Sequence, residues 1–394
     1  MTINKIRHIN QISLKGKRVF LRLDLNVPID QKTKKIEDDS RIQEALPTIK
    51  YAIENGARLI IASHLGRPNG SADSNYSLEP VATHLAGLLD QDVMLADDCI
   101  GEGIELLVQS LKDGEILLLE NLRFHKGETG NKEKFVAKMT HLADVFITDA
   151  FGTAHRKHAS TYGLPSQVES KGYGFLIEKE LAVLDVLLNK PTKPFHLVLG
   201  GAKVTDKVKV IESLLRNIDG LFIGGAMAYA FMTAKGESLP ANAKLPSKED
   251  TQSALRILTA AKKKGIPVYL PVDTIDSYDI GPQTIELFCD KLKSAKTIFW
   301  NGPLGWFEKD EYAKGTHLVA QSLSQVSANK IIGGGDTVSA IKKFGLESSF
   351  EHLSTGGGAS LEYLKDGSLP GIEILKAPFK KTRSSFEWEE EEND

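Results

Sequence analysis

Basic and amide side chains recur directly after short apolar runs in the first half of the chain. Val19–Leu25 ends in Asp24-Leu25-Asn26, and Arg58–Ala62 leads into Ser63-His64-Leu65-Gly66-Arg67-Pro68. Ile116–Leu119 leads into Glu120-Asn121-Leu122-Arg123, and Val145–Thr148 into a segment from Asp149 to Arg156. Arg41 opens the first segment of helical spacing. Guanidinium forks match the oxygens of phosphate and carboxylate, so this set has the composition of a grip for an oxyanion. Any single arginine is read equally well as a solvated surface charge. His64 taken alone is better read as a structural hydrogen-bonding group than as a base. Three basic run-ends in succession favour the ligand.

In the second half the same positions carry glycine. Leu197–Leu199 is followed by Gly200-Gly201-Ala202-Lys203-Val204-Thr205-Asp206-Lys207, and Leu221–Ile223 by Gly224-Gly225-Ala226. Ile298–Trp300 is followed by Asn301 to Glu308, and Ile331–Ile332 by Gly333-Gly334-Gly335-Asp336-Thr337. After His352-Leu353 comes Ser354-Thr355-Gly356-Gly357-Gly358. Glycine lets backbone N–H groups approach a ligand, and the N-termini of following helices attract phosphate. Tight turns explain one or two such segments but not five. Asp336, between a glycine turn and a helical segment, is placed to hold Mg²⁺ against phosphate oxygens. The chain has no GxxxxGK[ST] loop, and Val338 stands where a dinucleotide fingerprint needs its third glycine, which disfavours a dinucleotide.

The elements that must hold these residues alternate. The β-rich runs above, with Val268–Leu270, are separated by segments of helical spacing such as Arg41–Glu54, Leu78–Leu89, Lys132–His141, Lys207–Arg216 and Thr251–Lys264. That alternation implies right-handed βαβ units, parallel sheets covered on both faces and an α/β class. In such sheets ligands bind outside the carboxyl ends of the strands, where the basic and glycine segments lie. A stretch from Gly163 to Gly174, with Pro165 and Gly172, marks a boundary, and Phe175–Asn189 reads as a helix ended by Lys190-Pro191.

A chain of 394 residues fits two domains, each with its own core. With 41% hydrophobic and 26% charged residues it is neither disordered nor fibrous. The net charge of −3 argues against a dedicated nucleic-acid binder. It resides in the ending: Glu387, Glu389 to Glu392 and Asp394 are six acids, without which the chain would carry +3. Residues 382–394 are expected to form a solvated, disordered tail. Two cysteines, Cys99 and Cys289, far apart, suit a reducing compartment and give no zinc signature. Without a signal-like start or a membrane-length apolar run, a cytoplasmic protein with no membrane partner is expected.

Eight segments in order give the chain a resemblance to the phosphoglycerate kinase family, running from Lys17 to about Leu375. They are Arg22 to Pro28, Ser63 to Pro68, Glu120 to Phe124, Asp149 to Arg156, Gly200 to Lys207, Trp300 to Glu308, Gly333 to Thr337 and Ser354 to Ser360. The resemblance implies two doubly wound, Rossmann-like lobes facing a cleft: residues 1–172, completed by about 371–381, and residues 191–370, joined by an interdomain helix over 173–190. It implies phosphoryl transfer between 1,3-bisphosphoglycerate and Mg-ADP, giving 3-phosphoglycerate and Mg-ATP, in a monomer. Asp24, Asn26, Arg41, His64, Leu65, Gly66, Arg67, Arg123 and Arg156 would bind the glycerate substrate. Lys203 and Lys207 would meet the phosphates, Asp336 would hold Mg²⁺, Glu308 the ribose, and Gly334, Gly335 and Thr337 a phosphate. Arg41, Lys203, Gly356 and Gly357 would act on the transferring group, with Gly358 completing that turn.

Three departures stand out: Ala226 where a third glycine is usual, Trp306 where a smaller apolar residue is usual, and the extension from Phe379 to Asp394. Two other readings suit paired α/β lobes: a nicotinamide-linked dehydrogenase, disfavoured by the missing fingerprint, and an inert phosphometabolite-binding protein.

Overall fold

The structure, a computed structural model, describes residues 5–378. The acidic ending therefore lies outside the described residues, as does part of the 371–381 stretch. The chain divides into two compact units: residues 5–150, 156–176 and 370–378 form one, and residues 151–155 and 177–369 the other. The division falls inside the helix Phe175–Asn189, between Leu176 and Ile177, and Phe151–His155 groups with the second sheet. Residues 173–190 are thus apportioned between the units.

The first unit is built on β1 (Arg18–Arg22), β2 (Arg58–Ala62), β3 (Val93–Leu95), β4 (Ile116–Leu118), β5 (Val145–Thr148) and β6 (Ser170–Tyr173). They form a parallel sheet in the order β3-β4-β2-β1-β5-β6. Val19, Phe20, Leu21, Ile60, Ile61, Phe146 and Ile147 are all fully buried. Sheets covered by helices on both faces need such unbroken apolar runs rather than alternation. From β1 the chain winds outward through β2 to β3 and β4, then returns to the other side for β5 and β6. The order therefore reverses between β1 and β5, where their loops part and leave room for a ligand. The helix Pro370–Lys376 buries Ile372, Ile374 and Leu375 and packs beside Leu164–Gln167 in this unit.

The second unit contains β7 (Phe195–Leu199), β8 (Gly220–Ile223), β9 (Val268–Tyr269), β12 (Thr297–Asn301), β13 (Asn329–Gly333) and β14 (His352–Leu353), parallel in the order β14-β13-β12-β7-β8-β9. A small antiparallel pair, β10 (Thr274–Ile275) and β11 (Asp279–Ile280), stands apart. Here the order reverses between β7 and β12. Trp300, Phe222, Phe288 and Phe299 fill the core around them.

Both units are parallel α/β, the class expected. Five strands escape the apolar-run criterion. β3 is a half-exposed edge of three residues, and β6 carries Gly172 and a lysine, Lys171, buried because its Nζ donates to Pro165 O at 2.7 Å. β10, β11 and β14 have two residues each. The run Val19–Leu25 ends as strand at Arg22, after which the backbone turns. No helix among the described residues is long and apolar enough to cross a membrane.

Candidate active site

In the first unit the site grows from the end of β1. Arg22 is 1% exposed. Its Nε donates to Ser160 Oγ at 2.8 Å, it also donates to Leu23 O, and its Nη2 lies 3.3 Å from His64 Nδ1. Ser160 donates onward to Glu128, through Oγ at 2.6 Å and N–H at 2.9 Å. A buried arginine needs such a partner chain, and Glu128, itself fully buried, supplies the countercharge.

The turn after β1 is fixed by side chain to backbone bonds. Ser63 Oγ accepts from Leu25 N–H at 2.9 Å, and Asn26 Oδ1 accepts from Gly66 N–H at 2.8 Å. Arg123 Nη1 donates to Gly66 O at 2.7 Å, while Asn121 holds Leu65 by both N–H and carbonyl. Asn26, Leu65, Gly66 and Arg123 thus form one laced cluster across the ends of β1, β2 and β4. Arg41, in the first turn of the helix Ser40–Glu54, donates to Asn26 O at 2.7 Å and pairs with Asp24 Oδ1 at 3.4 Å.

This face is strongly electropositive. Burial and then the fields of Arg22, Arg123, Arg156 and Arg41 hold the His64 imidazole well below its ordinary pKa, so it is neutral at pH 7. Burial, with Arg156 and Arg22, lowers Arg123 to about 10, still charged at neutral pH. Asp24, Arg41, His64, Arg123 and Arg156 are therefore one electrostatic cluster. Arg67 is exposed and forms no ion pair among the described residues.

In the second unit the glycine turns that follow β7, β8 and β12 are stitched together. Gly200 N–H donates to Asn301 O, Gly201 N–H to Pro303 O and Gly225 N–H to Leu304 O, each at 3.0 Å. Gly302 has φ +96°, and a Cβ there would lie 2.3 Å from Gly200 O and 2.7 Å from Lys207 Nζ. Only glycine allows the turns to close on the lysine. Lys207 Nζ donates to Asn301 O at 2.8 Å and to Oδ1 at 2.5 Å. Burial outweighs the fields of Asp336 and Asp206 and lowers Lys207 to about 8.

Asp336 is exposed in the first turn of the helix Gly335–Lys343, and its carboxylate makes no ion pair among the described residues. Lys203 and Glu308 are also exposed. Thr337 is buried, and its Oγ1 accepts from Gly302 N–H at 2.6 Å. The residue is wholly buried, so the amides that reach the surface at this helix start are those of Gly334 and Gly335. Ala226 is exposed, so its methyl meets no crowding. Trp306 packs with Tyr278 at a ring separation of 5.6 Å, with Lys309 Nζ 4.1 Å over its ring.

Beneath the turn Gly356–Gly358 lies a carboxylate that sequence reading misses. Glu180 is fully buried. Its Oε2 accepts from Ser354 Oγ at 2.8 Å and lies 2.9 Å from His352 Nε2, and its Oε1 accepts from Thr355 N–H at 2.9 Å. Ser354 Oγ in turn receives Gly356 N–H at 3.2 Å. Of the three glycine amides, those of Gly357 and Gly358, at the start of the helix Gly358–Asp366, have no such side-chain partner among the described residues. A Cβ on Gly356 would lie 2.4 Å from the Phe151 ring, which accounts for glycine there. Arg22, Ser160 and Glu128 are missed in the same way. The signal for Glu180 was an acid in register with Ile177 and Leu184, on the buried stripe of its helix.

The chain matches the family model for phosphoglycerate kinase over residues 9–367. It is 45% identical over 396 aligned positions to the phosphoglycerate kinase of Anaeromyxobacter sp. strain Fw109-5, covering 94% of this chain and 99% of that one. It is likewise 45% identical over 395 positions to the enzyme of Pelodictyon phaeoclathratiforme, with the same shares. Its fold superposes on the phosphoglycerate kinase of Coxiella burnetii with TM-score 0.83 at 37% identity, covering 94% of this chain and 98% of the other. For that of Pyrococcus horikoshii the values are 0.80 and 32%, with the same coverage. The dehydrogenase reading falls away, and the chain belongs to the phosphoglycerate kinase family.

Proposed function

We propose that the chain catalyses reversible transfer of the acyl phosphate of 1,3-bisphosphoglycerate to Mg-ADP, giving 3-phosphoglycerate and Mg-ATP, as in glycolysis. The observation that carries this reading is the arginine-surrounded, neutral His64. The site grips anions but holds no poised base there, and the reaction needs none, since both the carboxylate and the ADP oxygen are ionised at pH 7. Positioning and charge stabilisation then supply the rate.

In this reading Arg41 and Arg123 flank the transferring group. Asp24, Asn26, His64, Leu65, Gly66, Arg67 and Arg156 hold the rest of the glycerate. Lys203 and Lys207 meet the phosphates and the moving phosphoryl group, and Glu308 binds the ribose. The amides of Gly334 and Gly335 receive a nucleotide phosphate, and the turn Gly356–Gly358 donates N–H groups to the transferring oxygens. Asp336 fits a hard cation, because an exposed, unpaired carboxylate leaves oxygen ligands available. When bound with nucleotide, Mg²⁺ neutralises charge on the phosphate oxygens.

The two half-sites belong to different units, so in-line transfer requires the units to close on one another, which also excludes water. We read the protein as a cytoplasmic monomer without nucleic-acid or membrane partners; its free thiols, Cys99 and Cys289, suit a reducing compartment. A coupled assay of ATP formed from 1,3-bisphosphoglycerate and Mg-ADP tests the reading. Turnover of about 1–100 s⁻¹ is expected. Binding of both ligands without ATP formation would leave an inert metabolite-binding protein instead.

A further inference from the structure

The loops after β3 and β4 emerge side by side, because these strands pair in parallel with Val93 opposite Ile116 and Leu95 opposite Leu118. One loop carries Asp98 and Cys99, and the other carries His125 at the end of the turn Leu122–Phe124. None of the three belongs to the glycerate or nucleotide sites described above. His125 Nε2 lies 2.6 Å from Asp98 Oδ1, which also accepts from Cys99 N–H at 2.6 Å. The carboxylate oxygen, the thiol sulfur and the imidazole nitrogen all lie within 4.8 Å of one another. Cys99 is fully buried, whereas the Asp98 and His125 side chains are 44% and 30% exposed, which leaves an entry from solvent.

We propose that Asp98, Cys99 and His125 form a binding site for a borderline divalent transition-metal ion such as Zn²⁺, with a fourth position open to water. One oxygen, one nitrogen and one sulfur donor make a set that suits zinc and cobalt(II) and does not suit Mg²⁺, so this site is separate from the nucleotide's ion. Bonds of about 2.0–2.3 Å in a tetrahedron separate ligand atoms by roughly 3.2–3.7 Å. The imidazole nitrogen and carboxylate oxygen, 2.6 Å apart, would have to open by under about 1 Å, and no separation exceeds 4.8 Å. The ion replaces the hydrogen bond between Asp98 and His125, the ring proton moves to Nδ1, and the thiol proton leaves to solvent.

The test is titration of the full chain with cobalt(II) chloride in excess Mg²⁺ and without nucleotide. A thiolate-to-cobalt charge-transfer band with tetrahedral ligand-field absorption is expected, saturating at one ion per chain and bleached by zinc chloride. Cys99→Ser should abolish the charge-transfer band. His125→Gln should weaken binding by at least about tenfold. Cys289→Ser should leave both unchanged. Circular dichroism verifies that each variant is folded, and the part-exposed His125→Gln decides the matter should Cys99→Ser not fold. Absence of the charge-transfer band at millimolar cobalt overturns the proposal, as does a band that survives Cys99→Ser or vanishes in Cys289→Ser.

Discussion

Arg22 Nη2 stands 3.3 Å from His64 Nδ1, and that contact decides which ring nitrogen carries the proton. A guanidinium can only donate, so Nδ1 accepts and the hydrogen sits on Nε2. Asp24 Oδ1, at 3.9 Å from Nδ1, is too distant to reverse this. Nitrogen-15 NMR of the imidazole is therefore expected to show a neutral Nε2–H ring that stays neutral well below pH 6.5. The same shift bears on stability. Below the unfolded value near 6.5 the unfolded chain takes up a proton that the folded chain refuses, so stability falls as pH falls. The slope from this group is at most about 1.4 kcal/mol per pH unit. Urea midpoints at pH 7 and pH 5 should diverge more for the parent chain than for His64→Gln; equal divergence would show His64 titrating normally.

Arg41 and Lys203 are partly or fully exposed and hold no core together, so their replacement tests chemistry rather than folding. Loss of one preorganised charge donor costs about 10²–10³ in rate. Arg41→Ala and Lys203→Ala are each expected to lower kcat by that factor with unchanged thermal midpoints. Near-parental kcat in both variants would remove them from the transfer step.

In the proposed site, Lys207 would give the nucleotide side a basic limb. Its pKa of about 8 means that the ligand-free ammonium loses its proton as pH rises through 8. Affinity for Mg-ADP should then weaken between pH 7 and 9. Lys207→Arg, charged throughout, should bind with a flatter profile. Calorimetry at several pH values measures this, and parallel profiles would place the titrating group elsewhere.

The apolar runs and their punctuation made most of the fold legible. Long buried strands such as β1, β5 and β12 announce themselves because parallel sheets demand continuous apolar residues. Short edge strands such as β3 and β14 do not, since two or three residues carry no period. The candidate site residues could be picked out because most of them follow strand ends. What was not legible is the layer behind them. Arg22, Glu128 and Ser160 meet across 32 or more residues of sequence separation, and nothing local in the chain signals that a buried arginine has found its carboxylate. Thr337 shows the converse: its motif pointed to phosphate, yet its hydroxyl is turned inward to Gly302.

If transfer requires the two units to close, neither ligand alone supplies the whole set of contacts that favours closure. Small-angle scattering should show the radius of gyration contracting more with 3-phosphoglycerate and Mg-ATP together than with either one. An identical radius in all four states would refute closure while leaving each binding site intact.

Glu180 offers the sharpest separation of positioning from binding. Its two oxygens meet His352, Ser354 and Thr355, and through Ser354 they set the Gly356 amide. Glu180→Gln keeps the shape but turns an NH₂ toward groups that are themselves donors, leaving at least one buried donor unsatisfied at about 1–3 kcal/mol. The thermal midpoint should fall accordingly. Because the turn Gly356–Gly358 would act on the transferring oxygens and not on the resting nucleotide, kcat should drop about tenfold or more while Kd for Mg-ADP stays near parental. Ser354→Ala, which removes the link without disturbing Thr355, should reproduce the kcat effect at smaller cost in stability. A variant that loses Mg-ADP affinity in proportion to kcat would instead place Glu180 in the nucleotide pocket's own scaffold.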